Sequence, residues 1–134
     1  MQITRQTDYA VRCVLYLSKE PQRITTVNEI AKPMHIPKSF LAKILQSLVK
    51  AGIVESTRGV KGGFQLVRKL KEITLLDVIE AIEGPVAMNR CAIDKRMCSL
   101  SNTCSVHPVW VELRKECERR LRRCDFASLA AQKR

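Results

Sequence analysis

Aromatic residues are scarce in this sequence: one Trp, two Tyr and three Phe amount to 4% of 134 residues. Aliphatic residues are plentiful, which favours a helical core built on Leu, Ile and Val. No apolar run approaches the roughly 20 residues that span a bilayer. The first residues also lack the basic region, apolar stretch and cleavage site of a secretion signal. We therefore expect a cytoplasmic protein of one domain, or of a small domain with an extended dimerisation arm, and no membrane association.

The sequence also lacks the residue groups on which most enzymes depend. It contains no Ser/His/Asp set, no paired carboxylates, no phosphate-binding loop and no C-x-x-C thiol pair. These absences argue against an enzyme and favour a binding protein.

Acidic residues are outnumbered by basic ones, 13 Asp and Glu against 24 Lys and Arg, for a formal net charge of +11. Residues 1–70 hold 12 basic and four acidic residues, or +8, and residues 71–134 hold 12 and nine, or +3. Such an excess predicts a polyanionic partner, and its position predicts that the first half of the chain binds double-stranded DNA.

Apolar spacing and helix-capping residues predict the order of elements in the first half. A capping box at Thr26 and Glu29 opens a short helix that should stop before Pro33, and Pro37 suits the first position of the next. The predicted helices cover residues 7–18, 26–32 and 37–50, and the predicted strands cover residues 53–57 and 63–67. This order is typical of a winged helix-turn-helix domain.

A second capping box, at Thr74 and Asp77, predicts a helix that ends at Gly84. A long helix over residues 106–123 should follow, with Arg114, Lys115, Glu118, Arg119 and Arg122 opposite an apolar stripe. The stripe consists of Val106, Trp110, Leu113, Cys117, Leu121 and Cys124. A second copy of the chain would cover this stripe in a homodimer. The alternative is that the helix folds back onto its own domain.

The fold class that we predict is therefore mainly α with a small β-hairpin wing: a winged helix-turn-helix plus a long dimerisation helix. We divide the chain into a DNA-binding domain (residues 1–84), a cysteine-bearing loop (residues 85–105, called the cysteine loop below), and a dimerisation helix with the C-terminal tail (residues 106–134).

The third helix and the turn between the strands supply the candidate DNA-binding residues. The outer helix face can enter the major groove, where lysine donates to guanine and serine or glutamine meets base edges or phosphates. The basic turn can reach the minor groove or its phosphates. The alternative is a solvated helix face and an ordinary hairpin. The candidates are Lys38, Ser39, Phe40, Ala42, Lys43, Gln46, Arg58 and Lys61.

Three cysteines and a histidine, Cys91, Cys98, Cys104 and His107, are spaced as C-x6-C-x5-C-x2-H within a polar segment. Buried cysteine usually lies among aliphatic residues, so cysteines in a polar loop suggest thiolate ligation of an inorganic centre. Disulfides are disfavoured without secretion. Zinc is a further alternative, although structural zinc sites usually pair cysteines across a two-residue gap. Cys13, Cys117 and Cys124 lie on helical stripes and are expected in the core or an interface.

The chain resembles the Rrf2 family of bacterial winged-helix regulators over nearly its whole length. The resemblance rests on TDYAVRCVLYLS, IPKSFLAKILQSLVKAGIVESTRGVKGGFQL, ITLLDVIEAIEG and the cysteine triplet. It implies a homodimeric transcription factor, paired through the long helix, whose promoter binding is controlled by an iron–sulfur cluster. Two departures are a first cysteine gap of six residues, where five are usual, and Lys43, where IscR-like members carry an acid.

The resemblance implies iron ligation by Cys91, Cys98 and Cys104, with two possibilities for the fourth ligand. IscR-like members use a histidine that matches His107, on a two-iron, two-sulfide cluster (2Fe-2S). NsrR-like members recruit an acid that matches Asp8, from the first helix of the partner subunit, to a four-iron cluster (4Fe-4S). The expected function is a repressor that senses nitric oxide, redox or iron–sulfur status. The alternatives are a zinc or thiol-based switch, and an iron–sulfur carrier or thiol redox protein.

Overall fold

The computed structural model describes residues 2–132. Its helices are α1 (Arg5–Ser18), α2 (Val27–Met34), α3 (Lys38–Lys50), α4 (Leu75–Glu83), α5 (His107–Arg122) and α6 (Phe126–Ala131). Its strands are β1 (Val54–Thr57) and β2 (Gly63–Leu66), and 3-10 turns lie at Leu70–Glu72, Arg90–Ala92 and Lys95–Met97. The predicted class, mainly α with a small hairpin, is confirmed. No helix within residues 2–132 has both the length and the apolar character needed to cross a membrane.

Both predicted capping boxes form. The Thr26 hydroxyl accepts from the Glu29 amide, and the Glu29 carboxylate accepts from the Thr26 amide at 2.8 Å. The same reciprocal pair joins Thr74 and Asp77 at the start of α4. These bonds satisfy amides that would otherwise lack partners at the two helix starts, so the sequence signal translates directly into structure.

The end of α2 differs from the prediction, because the helix continues through Pro33 to Met34. A proline this close to the helix end removes only one internal hydrogen bond. The last turn is held from other directions: the His35 amide donates to carbonyls of the preceding turn, and Arg12 Nη1 donates to the Met34 carbonyl at 3.2 Å. His35 then leaves the helix with a left-handed φ of 55°. A proline alone was therefore a poor marker of the boundary.

The core lies where α1, α3 and α4 pack against one another, and it is almost entirely aliphatic. The strands pair antiparallel, with Val54 opposite Leu66 and Thr57 opposite Gly63. Thr25 extends this hairpin, since its backbone exchanges two hydrogen bonds of 2.8 Å with Phe64. The hairpin is therefore fastened to the chain just before α2, which fixes the position of the wing relative to the helices.

The C-terminal tail forms a helix that the sequence analysis did not predict. Phe126, at its start, is completely buried in the core, and its amide donates to the Ile73 carbonyl at 2.9 Å. Asp125 caps α6 by accepting from the Ser128 amide. Helix α6 packs against α1 and thereby returns the chain to the N-terminal domain.

Helix α5 itself contains no fully buried residue. Its predicted apolar stripe is half-buried for the most part, and Val106 and Val109 remain about half exposed. The prediction for the opposite face needs a correction. Arg114 and Glu118 are half-buried beside the cysteine loop instead of lying on a free outer face, because Arg114 donates to the carbonyl oxygen of Ala92.

Candidate nucleic-acid interface and metal site

The two faces of α3 lie in different environments. Its inner face is buried by Leu41, Ile44, Leu45 and Leu48. The candidate DNA-binding residues on its outer face, Lys38, Ser39, Ala42, Lys43 and Gln46, are all exposed. Since the helix is anchored along its whole inner face, it presents a preformed rod of a size that the major groove admits.

Phe40 lies at the edge between these two faces. It is 40% exposed, and its ring meets the ring of Tyr9 edge to face, with 6.0 Å between centroids. Tyr9 is buried in α1, and the Arg12 guanidinium lies 5.4 Å from the centroid of its ring. Phe40 therefore supports the first turn of α3 as well as facing solvent.

The turn between the strands, residues 58–62, owes its shape to glycine. Gly59 has a φ of +105°, a backbone conformation that favours glycine. A Cβ added to Gly62 would lie 2.2 Å from the carbonyl oxygen of Thr57. Arg58 and Lys61 are exposed on this turn. The strands and this turn form the wing, which carries its two cations at its tip.

The basic side chains of this surface carry uncompensated charge. Within residues 2–132, none of Lys38, Lys43, Arg58 and Lys61 forms an ion pair with an acidic residue. Exposed cations of this kind release counterions when they meet phosphates, which favours DNA binding. We call the outer face of α3 together with the wing tip the DNA-reading surface.

Arg68 holds this surface in place, a role that the sequence analysis missed. Its Nε and Nη2 donate to the carbonyl oxygens of Gly52 and Ala51, at 3.1 and 3.0 Å, just after the end of α3. Its Nη1 lies 3.5 Å from the Asp77 carboxylate in the first turn of α4. A cation is favourable at a helix C-terminus. The only sequence signal was an arginine between the second strand and a capping box.

The three cysteines of the motif occupy three different environments. Cys91, in the 3-10 turn Arg90–Ala92, is 8% exposed, Cys98 is exposed, and Cys104 is half-buried just before α5. All three thiols are free. The motif therefore has one sheltered thiol and one that is open to solvent.

His107 is the first residue of α5, and its amide donates to the Cys104 carbonyl at 3.3 Å. Its ring atom Nδ1 is buried, yet has no hydrogen-bond partner in the described chain. Buried polar atoms nearly always have a partner, so an orphaned imidazole nitrogen needs an explanation. Ligation of a metal is one use for such an atom.

The structure does not bring the motif together. Among residues 2–132, no three His, Cys, Asp or Glu side chains lie close enough to hold one metal ion. The donor chemistry fits iron, since cysteine thiolates and a neutral imidazole nitrogen are its ligands in iron–sulfur proteins. The placement of the thiols does not complete a site, and Cys98 would have to leave its exposed position to join one.

Asp8, the alternative fourth ligand, is engaged within its own helix. Its carboxylate accepts from Arg12 Nη2 at 2.7 Å, and both side chains are partly exposed. A role as a ligand would require this ion pair to open, which is inexpensive for an exposed pair.

The cysteines outside the motif differ from it in burial. Cys13 is fully buried, and this burial raises the pKa of its thiol to about 12, so the thiol is inert at neutral pH. Cys117 is half-buried on α5, and Cys124 is half-buried just beyond its end.

Comparison with known proteins gives one consistent result. The sequence model of the Rrf2 family, described as "Iron-dependent Transcriptional regulator", matches residues 3–132. Protein aau3 of Rhizobium meliloti is 40% identical over 111 residues, which cover 80% of this chain and 70% of that protein. The HTH-type transcriptional regulator NsrR of Shouchella clausii is 30% identical over 109 residues, 81% and 70% of the two chains.

Among solved structures, CymR, the global cysteine regulator of B. subtilis, superposes with a TM-score of 0.79. The match covers 100% of this chain and 99% of that one at 23% sequence identity. This likeness confirms the winged-helix fold.

Proposed function

This chain belongs to the Rrf2 family of DNA-binding transcriptional regulators and is not an enzyme, and from that premise we propose that an iron–sulfur cluster controls its binding to promoter DNA. The proposed cluster ligands are Cys91, Cys98 and Cys104. The fourth is His107 on a 2Fe-2S cluster, or Asp8 of the partner subunit on a 4Fe-4S cluster. The proposed action is repression, released when nitric oxide, oxidant or a shortage of iron alters the cluster.

The DNA-reading surface supports the binding half of this proposal. Helix α3 would enter the major groove with Lys38 and Lys43 toward bases and phosphates, and the wing would place Arg58 and Lys61 at the minor groove. No side chain caps the start of α3. The Phe40 and Leu41 amides donate to the Pro37 carbonyl, which leaves the amides of Lys38 and Ser39 to donate to a phosphate oxygen.

The observation that carries the metal half is the buried, partnerless Nδ1 of His107, which follows a triplet of free thiols. When bound, an iron–sulfur cluster supplies a redox-active centre held by thiolates. The proposed ligands differ in position. Cys91 would supply a sheltered thiol and Cys98 would move in from solvent, and Cys104 and His107 would connect the site to the start of α5.

A homodimer is the assembly that this control requires. The apolar stripe on α5 is only half-buried, with Val106 exposed at its start, and a second copy of the chain would cover it. A change at the start of α5 would then alter the spacing of the two α3 helices and their fit to the two half-sites of an operator, which couples the metal site to DNA binding.

The proposal is tested by purifying the protein without oxygen, recording its visible absorption, and measuring iron and sulfide. Wild-type protein should be coloured, with iron and sulfide bound, and Cys98→Ala should lose the visible band. Cys124→Ser is the matched control, because it removes a half-buried thiol outside the motif. Loss of the band in His107→Ala but not in Asp8→Asn favours the histidine ligand, and the reverse result favours the acid.

DNA binding is measured next, on an operator selected from a random-sequence library, with loaded wild type and Cys98→Ala compared over a range of salt. Unchanged affinity and salt slope in the variant would refute control by the cluster. A colourless protein with stoichiometric zinc would favour the zinc switch. A metal-free protein whose DNA binding responds to thiol oxidation would favour the thiol switch. A protein that binds no DNA but transfers its cluster would favour the carrier.

A further inference from the structure

The cysteine loop is joined to the rest of the molecule by very few hydrogen bonds. Its backbone bonds run between residues three or four positions apart, such as Met97 to Asp94 and Cys104 to Leu100. Its side-chain bonds are equally local, for example Ser101 to Cys98 and Arg96 to Asp94. In the part of the chain that the structure describes, apart from the bond from the His107 amide to the Cys104 carbonyl where the loop joins α5, one hydrogen bond connects residues 85–105 with a helix outside the loop. In that bond, Arg114 Nη1 donates to the Ala92 carbonyl at 2.8 Å.

Arg114 is well placed to make this bond rigid. Its side chain is 25% exposed, and its Nε donates to the Glu118 carboxylate one turn later on α5, at 2.8 Å. Glu118 therefore fixes one edge of the planar guanidinium while another edge points at Ala92. Two bonds in different directions leave the arginine little freedom, so the Ala92 carbonyl is held at a fixed height along α5.

The bond acts directly beside one proposed ligand, Cys91, and on the same face of α5 as a second, His107. Ala92 follows Cys91 within the same 3-10 turn, so holding its carbonyl also holds the Cys91 backbone. Arg114 lies seven residues after His107, and residues seven apart lie on the same face of a helix. Arg114 thus holds the turn that bears Cys91 against the face of α5 on which His107 begins.

We propose that Arg114 is a positioning residue that keeps Cys91 sheltered and registered with the start of α5 before any metal is bound. Cys91 and His107 then form the fixed half of the metal site, and the locally bonded stretch with Cys98 completes it. This inference deepens the proposed function and rests on it for the identity of the ligand. The placement of Cys91 can be measured without any metal.

The decisive experiment measures how fast each cysteine of the metal-free protein reacts with N-ethylmaleimide, with mass spectrometry of peptides to assign each thiol. In Arg114→Gln, Cys91 should react about tenfold faster than in wild type, because losing a hydrogen bond from a charged donor raises the open population of the turn by about that factor. Cys98, which is already exposed, should react at an unchanged rate. Arg119→Gln is the matched control, since it removes an exposed arginine of the same helix.

A second readout uses protein reconstituted with iron and sulfide, in which release of iron to a chelator is followed with time. Arg114→Gln should release iron faster than Arg119→Gln. Arg114→Lys should recover part of the slow iron release of wild type. Its ammonium can donate to the Ala92 carbonyl, but it cannot also reach the Glu118 carboxylate as the guanidinium does. If Arg114→Gln does not fold, the labelling rate of Cys91 is compared between wild type and Arg114→Lys, where an increase smaller than about tenfold is expected.

The two proposals fail in different ways. If Cys91 reacts at the wild-type rate in both Arg114 variants, the positioning role is wrong, whether or not the protein binds iron. If Cys91 becomes reactive but wild-type protein takes up no iron, the positioning role stands and control by an iron–sulfur cluster is wrong.

Discussion

The DNA-reading surface and the cysteine loop are two exposed regions that are anchored very differently. Helix α3 buries four aliphatic residues in the core, and the wing is bonded to Thr25. In the cysteine loop, only Cys91 and Ser101 are buried. One region is therefore shaped without a ligand, whereas the other has only local structure, which the proposed metal would have to gather. A preformed surface suits recognition of regular duplex DNA, and a lightly held loop would suit the proposed response to a metal.

The largest effect on stability should appear when a leucine is replaced by alanine in α3, with the same replacement in the cysteine loop for comparison. Leu45→Ala removes a completely buried side chain of α3 and should lower the free energy of unfolding by about 2–5 kcal/mol. Leu100→Ala, in the cysteine loop, removes a side chain that is 63% exposed and should change it by less than about 0.5 kcal/mol. Urea unfolding of the metal-free protein measures both. Equal losses would mean that the loop is as firmly packed as the core.

The next largest effect concerns the shape of the wing. Gly62→Ala places a Cβ 2.2 Å from the Thr57 carbonyl oxygen and 2.9 Å from the Arg58 carbonyl carbon, so the backbone of the tip has to move. Contact of both wing cations with phosphates should then be lost, and the slope of log affinity against log salt should fall by about two. Binding of a short random-sequence duplex measures this slope. Gly84→Ala is the control: its φ of 81° makes alanine strained there too, but the Cβ meets no neighbouring atom and the strain lies at the end of α4, away from the wing. An unchanged slope in Gly62→Ala would contradict the assignment.

A smaller effect is expected from removing one charge. Lys61→Ala should lower the salt slope by about one, because one phosphate contact disappears. Lys95→Ala removes an equally exposed lysine from the cysteine loop and should leave the slope unchanged. The same duplex titrations apply to both variants. An equal decrease in the two variants would mean that the cysteine loop also lies against DNA.

The smallest effect is a dependence of stability on pH in the DNA-binding domain. The backbone hydrogen bond from Thr26 and the nearby Arg23 guanidinium lower the pKa of Glu29 below its ordinary value. A lowered pKa stabilises the fold above the unfolded-state pKa, and this contribution is lost as pH falls through the folded-state pKa. Wild type should therefore have a higher melting temperature than Glu29→Gln at neutral pH, and the two melting temperatures should converge in acid. A difference that stays constant with pH would count against the capping role.

Much of the DNA-binding domain was predictable because its signals are local. The capping boxes at Thr26 and Thr74 act over three residues, and the apolar spacing of α3 reports directly on which face is buried. Helix α6 escaped prediction because it is short and depends on Phe126 reaching a core formed by distant residues. No local pattern announces such a contact.

The sequence supplied candidate residues for the site but not their geometry. Spacing singled out Cys91, Cys98 and Cys104, but their burial depends on which turn each occupies and on what packs over it. The roles of Arg68 and Arg114 rest on bonds to backbone carbonyls, at residues 51 and 52 and at residue 92. Every residue carries the same backbone carbonyl group, and only the fold decides which of these groups lies beside an arginine. The sequence therefore carries no mark of these bonds.

Arg68 connects α3 to α4, and this connection affects how the two helices can move. One guanidinium holds the carbonyls beyond the end of α3 and the carboxylate at the start of α4, so these helices should tilt together as a rigid pair. Helix α4 in turn touches α5. Under the proposed function, a displacement that begins among the thiols would therefore reach the outer face of α3 as a rotation of this pair of helices.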